Sequence, residues 1–338
     1  MKRPTLLVVG AGGFIGGFIC SEGLRRGYDV YAGIRETSSR RYLANPDLKF
    51  VVLDYDDSTR LRDQLSAAAP DGKPWDYIIY NLGATKAATF GDFNRINYLY
   101  LRNFVESLRQ ASLVPQRFLY MSSLSALGPA DEKTYSPMDS SLVPSPNTRY
   151  GLSKIKAETV LDTSGDFPWT IFRPTGVYGP HEKDYLMMIQ CIDRGFDFGV
   201  GFRKQLLTFI YVDDLVGAMF DAITVPATLH KKYIISEPRA YTQKEFRAIV
   251  ARALGKKAVL PVRLPLWAVY IASALAEKWG VLTLKPSTLN RDKFKIMRQR
   301  NWNCSVEDAV RDFGFHADYP LERGIAETVK AYLEGKKK

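Results

Sequence analysis

Val8-Val9-Gly10-Ala11-Gly12-Gly13-Phe14-Ile15-Gly16 closes a short apolar run and opens a stretch with helical character. Gly10, Gly13 and Gly16 follow a GxxGxxG spacing, with Gly12 between them. A turn that joins strand to helix over a dinucleotide must be tight, must let backbone approach a pyrophosphate, and must seat the helix close to the strand. The helix N-terminus then turns free N–H groups and the positive end of its dipole toward the phosphates. Glycines alone are a weak signal, since any tight βα turn can contain them. Placed between a strand and a helix at the start of the chain, they mark a dinucleotide site. The candidate cofactor contacts of this turn are Gly10, Gly12, Gly13, Phe14, Ile15 and Gly16.

Outward from the turn, short apolar runs alternate with helix-compatible stretches. Residues 5–9, 29–34, 50–53, 77–81, 118–122 and 170–173 read as strands, rich in Val, Ile, Leu, Tyr and Phe and often continuous rather than alternating. Strands buried on both faces of a parallel sheet look this way. Residues 16–26, 96–110 and 153–162 read as helices. Repeated βα units predict an α/β fold, a doubly wound parallel sheet of the Rossmann kind. After Arg173 the pattern loosens: Pro174, Gly176, Gly179 and Pro180 mark a loop, and 185–194 a helix. Residues 209–212 and 213–223 read as one more βα unit returning to the main sheet, and 233–235 as a short strand. Thr242 and Glu245 form a capping box for a helix over 242–254. Ser305 and Asp308 make a weaker start of the same type, with Gly314 as the stop. The expected division is a dinucleotide-binding unit of 1–174 plus about 205–230, and a smaller, discontinuous C-terminal substrate domain of about 175–204 plus 231–334.

A chain of 338 residues can bury one large core, or a main domain and a smaller one. With 46% hydrophobic and 25% charged residues it has the balance of a globular protein rather than a disordered one. The net charge of +11 would suit a nucleic-acid binder, but the cations are scattered and the one tight run, 336–338, reads as a solvated tail. Part of the excess is expected around an anionic cofactor or substrate. Cys20, Cys191 and Cys304 lie far apart, which fits neither a disulfide framework nor a zinc site. No metal is expected, and a reducing, cytoplasmic compartment suits these thiols. Lys2 and Arg3 lead straight into a strand, without the cleavage site of a signal peptide. Residues 264–276 carry no charge, but spanning a bilayer takes about 20 apolar residues. No membrane span is expected. The run reads as a buried helix, with an apolar patch over a substrate pocket as the alternative.

The second strand leads into Gly33-Ile34-Arg35-Glu36-Thr37-Ser38-Ser39-Arg40-Arg41. A site that prefers NAD has an acid near this strand end to accept from the ribose 2′-hydroxyl. Arg35 stands where that acid would be, and a guanidinium suits a 2′-phosphate. Ser38, Ser39 and Arg40 can add donors. NADP is therefore the expected cofactor and NAD the less favoured one; the alternative is a solvated Arg35 with Glu36 on the ribose. Asp54, after the third strand, is a candidate for the adenine edge or a plain turn residue, and Tyr55 beside it is a further candidate contact.

Tyr150-Gly151-Leu152-Ser153-Lys154 sets a tyrosine and a lysine four apart, on one helix face. A free phenol has a pKa of about 10 and is a poor base at neutral pH. A neighbouring ammonium stabilises the phenolate, so the pair can act as an acid/base catalyst. A surface pair on an amphipathic helix is the alternative. Arg117-Phe118-Leu119-Tyr120-Met121-Ser122-Ser123-Leu124-Ser125-Ala126 is a buried strand ending in three serines. Ligands of a parallel sheet sit beyond the carboxyl ends of its strands, where a hydroxyl can hold a substrate oxygen. Ser123 is the chosen candidate, with Ser122 and Ser125 beside it, although serines at strand ends are often turn groups.

These segments occur in order with Arg173-Pro174-Thr175-Gly176-Val177-Tyr178-Gly179-Pro180 and Tyr211-Val212-Asp213-Asp214. Together they resemble the extended short-chain dehydrogenase/reductase superfamily, in its NAD-dependent epimerase/dehydratase group, over nearly the whole chain. The resemblance implies a catalytic set of Ser123, Tyr150 and Lys154. It also implies that Lys154 binds the nicotinamide ribose and that Asn81, Leu82, Gly83 and Ala84 line the adenosine and ribose side. The turn after Pro174, with Val177, would meet the carboxamide, Asn97 would serve packing, and Asp213 and Asp214 would fix the domain junction. A homodimer formed through helices beside the catalytic strand is a further expectation of the resemblance.

Three reactions compete: reversible hydride transfer to an external alcohol or ketone, nucleotide-sugar epimerisation with retained cofactor, and sugar dehydration. Dehydratases of the family carry an Asp-Glu pair after the serine or threonine; Leu124 and Ser125 stand there, which weakens dehydration. Arg35 favours a reductase drawing on NADPH. The run 264–271 and Phe196, Phe198 and Phe202 suit a pocket for an apolar alcohol or ketone, similar to the 3β-hydroxysteroid dehydrogenase and dihydroflavonol reductase branches, or else ordinary packing between domains. Arg203 and Lys204 would suit a nucleotide sugar instead. A regulator that binds NADP(H) without turnover is the reading from another class, against which the intact Ser123, Tyr150 and Lys154 speak. No nucleic-acid motif is present.

Overall fold

The computed structural model describes residues 2–87, 89–283 and 289–336. The N-terminal half holds β1 (Thr5–Val9), α1 (Phe14–Arg25), β2 (Asp29–Ile34), β3 (Lys49–Val52), α2 (Ser58–Ala68), β4 (Tyr77–Tyr80), α3 (Phe90–Asn94), α4 (Tyr100–Gln110), β5 (Arg117–Met121) and α5 (Arg149–Asp162). There follow β6 (Trp169–Pro174), β7 (Gly176–Tyr178), α6 (Lys183–Asp193), β8 (Phe196–Val200), β9 (Leu206–Leu207), β10 (Phe209–Tyr211) and α7 (Val212–Ile223). The last third holds β11 (Lys232–Ile235), β12 (Tyr241–Thr242), α8 (Gln243–Ala253), β13 (Leu260–Leu264), α9 (Leu266–Leu282), α10 (Arg291–Arg298), α11 (Glu307–Phe313) and α12 (Leu321–Lys336).

Seven strands form one parallel sheet in the order β11-β6-β5-β4-β1-β2-β3. β1 shows why its apolar run is continuous. Leu6 and Val8 face a layer with Ile19, Val216 and Phe220, while Leu7 and Val9 face the opposite layer with Leu61, Leu101 and Phe104. Each large side chain fully buried in this way stabilises the fold by about 1.5–3 kcal/mol. The chain winds outward from β1 through β2 to β3, then returns to β4 on the other side. The reversal opens a crevice at the carboxyl ends of β1 and β4, where an open α/β sheet binds its ligands.

The structure departs from the sequence reading at several places. The strand that returns to the sheet is β11, which pairs with β6, whereas Phe209–Tyr211 pairs in parallel with β7. The return to the sheet thus reaches Ile235, a few residues beyond the expected boundary near 230. The single helix read over 96–110 is preceded by α3 and passes through a π-helical turn, Arg95–Leu99. α5 starts four residues before the expected 153, because the Thr148 hydroxyl caps it by accepting from the Gly151 N–H at 3.0 Å. The box of Thr242 and Glu245 forms as read. That of Ser305 and Asp308 does not: Ser305 accepts only from the Glu307 N–H, and Asp308 pairs with Arg311.

The largest correction concerns 264–276. The run does become helical, as part of α9, but it is not buried: Trp267, Tyr270, Ile271, Leu275 and Trp279 are exposed, and only a narrow edge through Val269 and Ser273 faces the protein. An uncharged helix reads as core when judged by composition, and no element of the described residues packs over its outer side. Among the described residues, no helix is long and apolar enough to cross a membrane.

Candidate active site

The glycine turn lies at the mouth of the crevice. Gly10 has φ +82°, and a Cβ there would stand 2.8 Å from the Leu82 backbone nitrogen. A Cβ at Gly16 would collide with the carbonyl oxygen of Gly10. The turn is thus pressed between the β4 loop and the first turn of α1, as close backbone approach requires. Gly13 is the N-cap of α1 and provides no side-chain cap, so no side chain covers the amides that would meet a pyrophosphate. These features fit a dinucleotide. Gly12 lies against Ser38 and Ser39 from the loop after β2, which puts that loop beside the turn. Ser38 accepts from the Arg35 N–H at 3.0 Å. The Arg35 side chain is exposed and makes no ion pair among the described residues.

Tyr55 is buried, stacks on Tyr100, and its hydroxyl finds no hydrogen-bond partner among the described residues. Burial pushes its phenol up, and the Arg35 charge pulls it back. Asp54 is engaged by Arg60 at 3.3 Å and by the Asp56 N–H, the behaviour of a turn residue. Pro174 is buried at the end of β6, and Val177 is half-buried in β7.

The second group gathers at the ends of β5 and β4. Ser123 follows β5 and accepts from the Ser125 N–H at 3.2 Å. Tyr150 lies in the first turn of α5, its ring 6.1 Å from Phe93. The residue as a whole is half-buried, yet burial pushes its phenol up to about 12, and hydrogen bonding with Ser123 pulls it down. Lys154, one turn on, is buried and donates to the Met121 carbonyl at 2.7 Å, its ammonium 4.9 Å from the Tyr120 ring centre. The expected shift of Tyr150 by Lys154 is therefore not what this arrangement gives. The ammonium leans toward the strand end, and burial governs the phenol.

Burial also lowers Lys154 to about 7, opposed by the carboxylate of Glu158. A free lysine titrates near about 10.4. Between those values the unfolded chain holds a proton that the folded chain has shed, so wild-type stability should rise with pH across this window. Lys154→Met removes that slope. In thermal melts, the wild-type Tm minus the variant Tm should climb from pH 7 to pH 10; a constant difference would refute the assignment.

Ser122 is already engaged, donating to Glu158 Oε1 at 2.6 Å. Ser123 accepts from the Ser125 backbone N–H and is the serine hydroxyl that acts on the Tyr150 phenol. Glu158 is fully buried and also holds Arg173 through two bonds of 3.0 and 2.6 Å. Asn97 accepts from the Ala84 N–H at 2.7 Å and donates to the Ala84 carbonyl and to Ser153. It clamps the Leu82-Gly83-Ala84 loop to the helix that carries Tyr150, and it sits in the π turn, a feature frequent at functional sites. Asp214 accepts from the Asp318 and Tyr319 N–H groups, tying α7 to the start of α12.

Sequence reasoning missed Glu158 and the cluster of Lys86, Asp184 and Lys293. Glu158 had a local signal, since Tyr150, Lys154 and Glu158 recur every four residues along one helix face. The cluster had none: Asp184 meets Lys86 at 2.5 Å and Lys293 at 3.0 Å, joining the β4 loop, α6 and α10 across long separations in sequence.

A doubly wound sheet with a glycine turn into an uncapped helix, and a serine, a tyrosine and a lysine gathered at neighbouring strand ends, has the architecture of an extended short-chain dehydrogenase/reductase. The chain belongs to the NAD-dependent epimerase/dehydratase family, whose family model matches residues 6–236, and it is an enzyme of that type. It is similar to the ceramide reductase of Caulobacter vibrioides, 24% identical over 98% of this chain and 95% of that protein. It also resembles human sterol-4-alpha-carboxylate 3-dehydrogenase, decarboxylating, 24% identical over 64% of this chain and 56% of that protein. The fold matches the UDP-glucose 4-epimerase of Thermotoga maritima with UDP-glucose, at TM-score 0.77 and 18% identity over 98% and 99% of the two chains. It also matches the UDP-glucose 4-epimerase of Thermus thermophilus in complex with NAD, at TM-score 0.76 and 18% identity over 97% and 99%.

Proposed function

We propose that this chain is an NADP(H)-dependent oxidoreductase that interconverts a ketone and a secondary alcohol on an apolar, lipid-like substrate. The observation that carries the reading is the placement of Ser123 beside the Tyr150 phenol, with Lys154 buried one turn behind. The cofactor, when bound, supplies or accepts the hydride. Ser123 orients the substrate oxygen, Tyr150 gives it a proton or takes one, and Lys154 would bind the ribose. Gly10, Gly12, Gly13, Phe14, Ile15 and Gly16 hold the pyrophosphate, while Leu82, Gly83, Ala84, Pro174 and Val177 flank the rest of the dinucleotide.

Redox chemistry is favoured over dehydration because Leu124 and Ser125 provide no carboxylate after Ser123. A lipid-like substrate is supported by the similarity to a ceramide reductase over nearly the whole chain and by that to a sterol dehydrogenase over part of it. The deciding assay follows NADPH absorbance with ketone-bearing sphingoid and sterol lipids and a short ketone, beside product analysis with UDP-hexoses. Net oxidation of NADPH by a ketone supports the proposal. Interconversion of UDP-hexoses without net redox would replace it with epimerisation.

NADP preference rests on Arg35, exposed and without an ion pair among the described residues at the end of β2. Loss of charge-assisted bonds to a 2′-phosphate should weaken NADPH by about tenfold or more in Arg35→Ala. NADH, which lacks that phosphate, should be little affected. Equal weakening of both cofactors in fluorescence titrations would take Arg35 out of the site.

A further inference from the structure

More than half of the large apolar side chains that the described residues expose fall in two segments, 196–202 and 260–282, and these segments are neighbours in space. β8 and β13 pair in parallel with Phe196 opposite Leu260 and Phe198 opposite Val262, so these side chains share one face of a two-stranded ribbon. Phe196 and Phe198 are exposed on that face, while Asp197 between them turns inward to Gln243 and Arg247. The loop after β8 returns to the start of α9: the Gly201 N–H donates to the Leu264 carbonyl at 2.9 Å. Ribbon and helix are thus joined directly, and both carry exposed apolar side chains.

α9 reverses the usual arrangement of a surface helix, which turns its apolar stripe to the core. Trp267, Ile271, Leu275 and Trp279 recur every four residues on its outer side, with exposures of 69%, 50%, 65% and 69%. The inner edge carries Ser273 and Glu277, and Glu277 binds Arg149 and Arg291 at 3.0 Å. The helix is pinned by its polar side and presents its apolar side outward. At 17 residues it is about 25 Å long, short of the hydrocarbon thickness of about 30 Å. With Glu277 fixed to Arg149, it lies along a surface and does not cross one.

We propose that this face of α9 and the β8–β13 ribbon seats the protein on an anionic phospholipid bilayer. Charge selects this occupant. Asp197 and Glu277, the carboxylates of the two segments, both turn inward, while Arg203, Lys257 and Lys278 are exposed and make no ion pair among the described residues. Cations around an aromatic and aliphatic face suit anionic headgroups over acyl chains. Trp267 and Trp279 lie 12 positions apart, about 18 Å along one side, and indole rings favour the level of the headgroups. A second copy meeting this face through a two-fold axis would set each basic rim against its like.

Arg149, which anchors α9, immediately precedes Tyr150, so the docked helix is tied to the start of the helix that carries Tyr150, and a lipid-like substrate would come to the site from the bilayer. This last clause rests on the lipid-like substrate proposed above; the docking itself does not. The test therefore reads binding and turnover separately. Full-length protein is mixed with vesicles of phosphatidylglycerol and phosphatidylcholine in equal parts, or of phosphatidylcholine alone, and flotation and tryptophan fluorescence are followed without substrate. Binding to the anionic vesicles with a blue shift is expected. It should fall about tenfold or more in Leu275→Glu/Leu282→Glu and more modestly in Lys278→Glu. Melting temperature and turnover of a short soluble ketone should be unchanged in both.

Failure of the wild type to float with anionic vesicles, or equal flotation of all three proteins, overturns the docking. So does a concentration-dependent dimer that the double substitution dissolves while vesicles bind none of the proteins. Vesicle binding without turnover of any lipid ketone leaves the docking standing and removes the substrate reading.

Discussion

Tyr150→Phe should lower turnover by about 10²- to 10⁴-fold, the usual worth of a positioned acid/base group, while fold and cofactor affinity stay as they are. The substitution removes one oxygen. The ring keeps its place against Phe93, and Lys154 keeps its bond to the Met121 carbonyl. A serine hydroxyl is far too weak an acid to replace the phenol. The pH dependence should separate the two directions. With Tyr150 pushed up to about 12, the phenol is protonated throughout the neutral range. Ketone reduction needs that proton and should be nearly flat in pH there. Alcohol oxidation needs the phenolate, whose fraction grows about tenfold per pH unit below the pKa, so that direction should accelerate with pH. The variant should lose both the rate and the slope. Turnover within a few-fold of wild type, with the slope intact, would remove Tyr150 from the chemistry.

The parts of the site that lie close together in sequence were legible there. The turn from Gly10 to Gly16 is nine residues counted from Val8, and Tyr150 and Lys154 sit one helical turn apart, so spacing alone implies their geometry. The choice among Ser122, Ser123 and Ser125 was not legible, because it depends on which hydroxyl is already engaged. Glu158 takes Ser122 from 36 positions away, and no pattern at the strand end reveals that. The position of the Lys154 ammonium was hidden for the same reason: the competing acceptor is the Met121 carbonyl, a backbone atom without a sequence signature.

The sheet was legible because strands buried on two faces leave continuous apolar runs. α9 was not. Composition reports how apolar a helix is but not which neighbour will cover it, and 264–276 has the same look whether it faces a core, a pocket or solvent. A spacing signal was present nevertheless. Trp267, Ile271, Leu275 and Trp279 define one stripe, and Val269, Ser273 and Glu277 define another. The stripe with a serine and a glutamate is the one that packs, because Glu277 finds Arg149 and Arg291. Returning β10 to the wrong sheet had a similar source: three apolar residues before a helix fit any βα unit, and the pairing with β7 is a tertiary outcome.

Glu158→Ala should cost about 3–5 kcal/mol of stability, the usual loss when one partner of a buried ion pair is removed. Arg173 is almost wholly buried, and its guanidinium takes both carboxylate oxygens. Without Glu158 that charge stays in the interior uncompensated, and the Ser122 hydroxyl loses its acceptor. Most of the loss should be the penalty of the stranded cation rather than the worth of the pair. Replacing both partners by apolar residues, Glu158→Leu with Arg173→Met, should therefore recover much of it. A double-mutant cycle from urea unfolding measures this, and a loss below about 1 kcal/mol for Glu158→Ala would show the pair to be dispensable. The same variant also changes the titration of Lys154. Glu158 holds the Lys154 pKa up against burial. With the carboxylate gone Lys154 should titrate lower still, so the folded chain sheds that proton at a lower pH while the unfolded chain keeps it. The pH window over which stability rises should therefore open at a lower pH in Glu158→Ala than in the wild type, which thermal melts across pH measure.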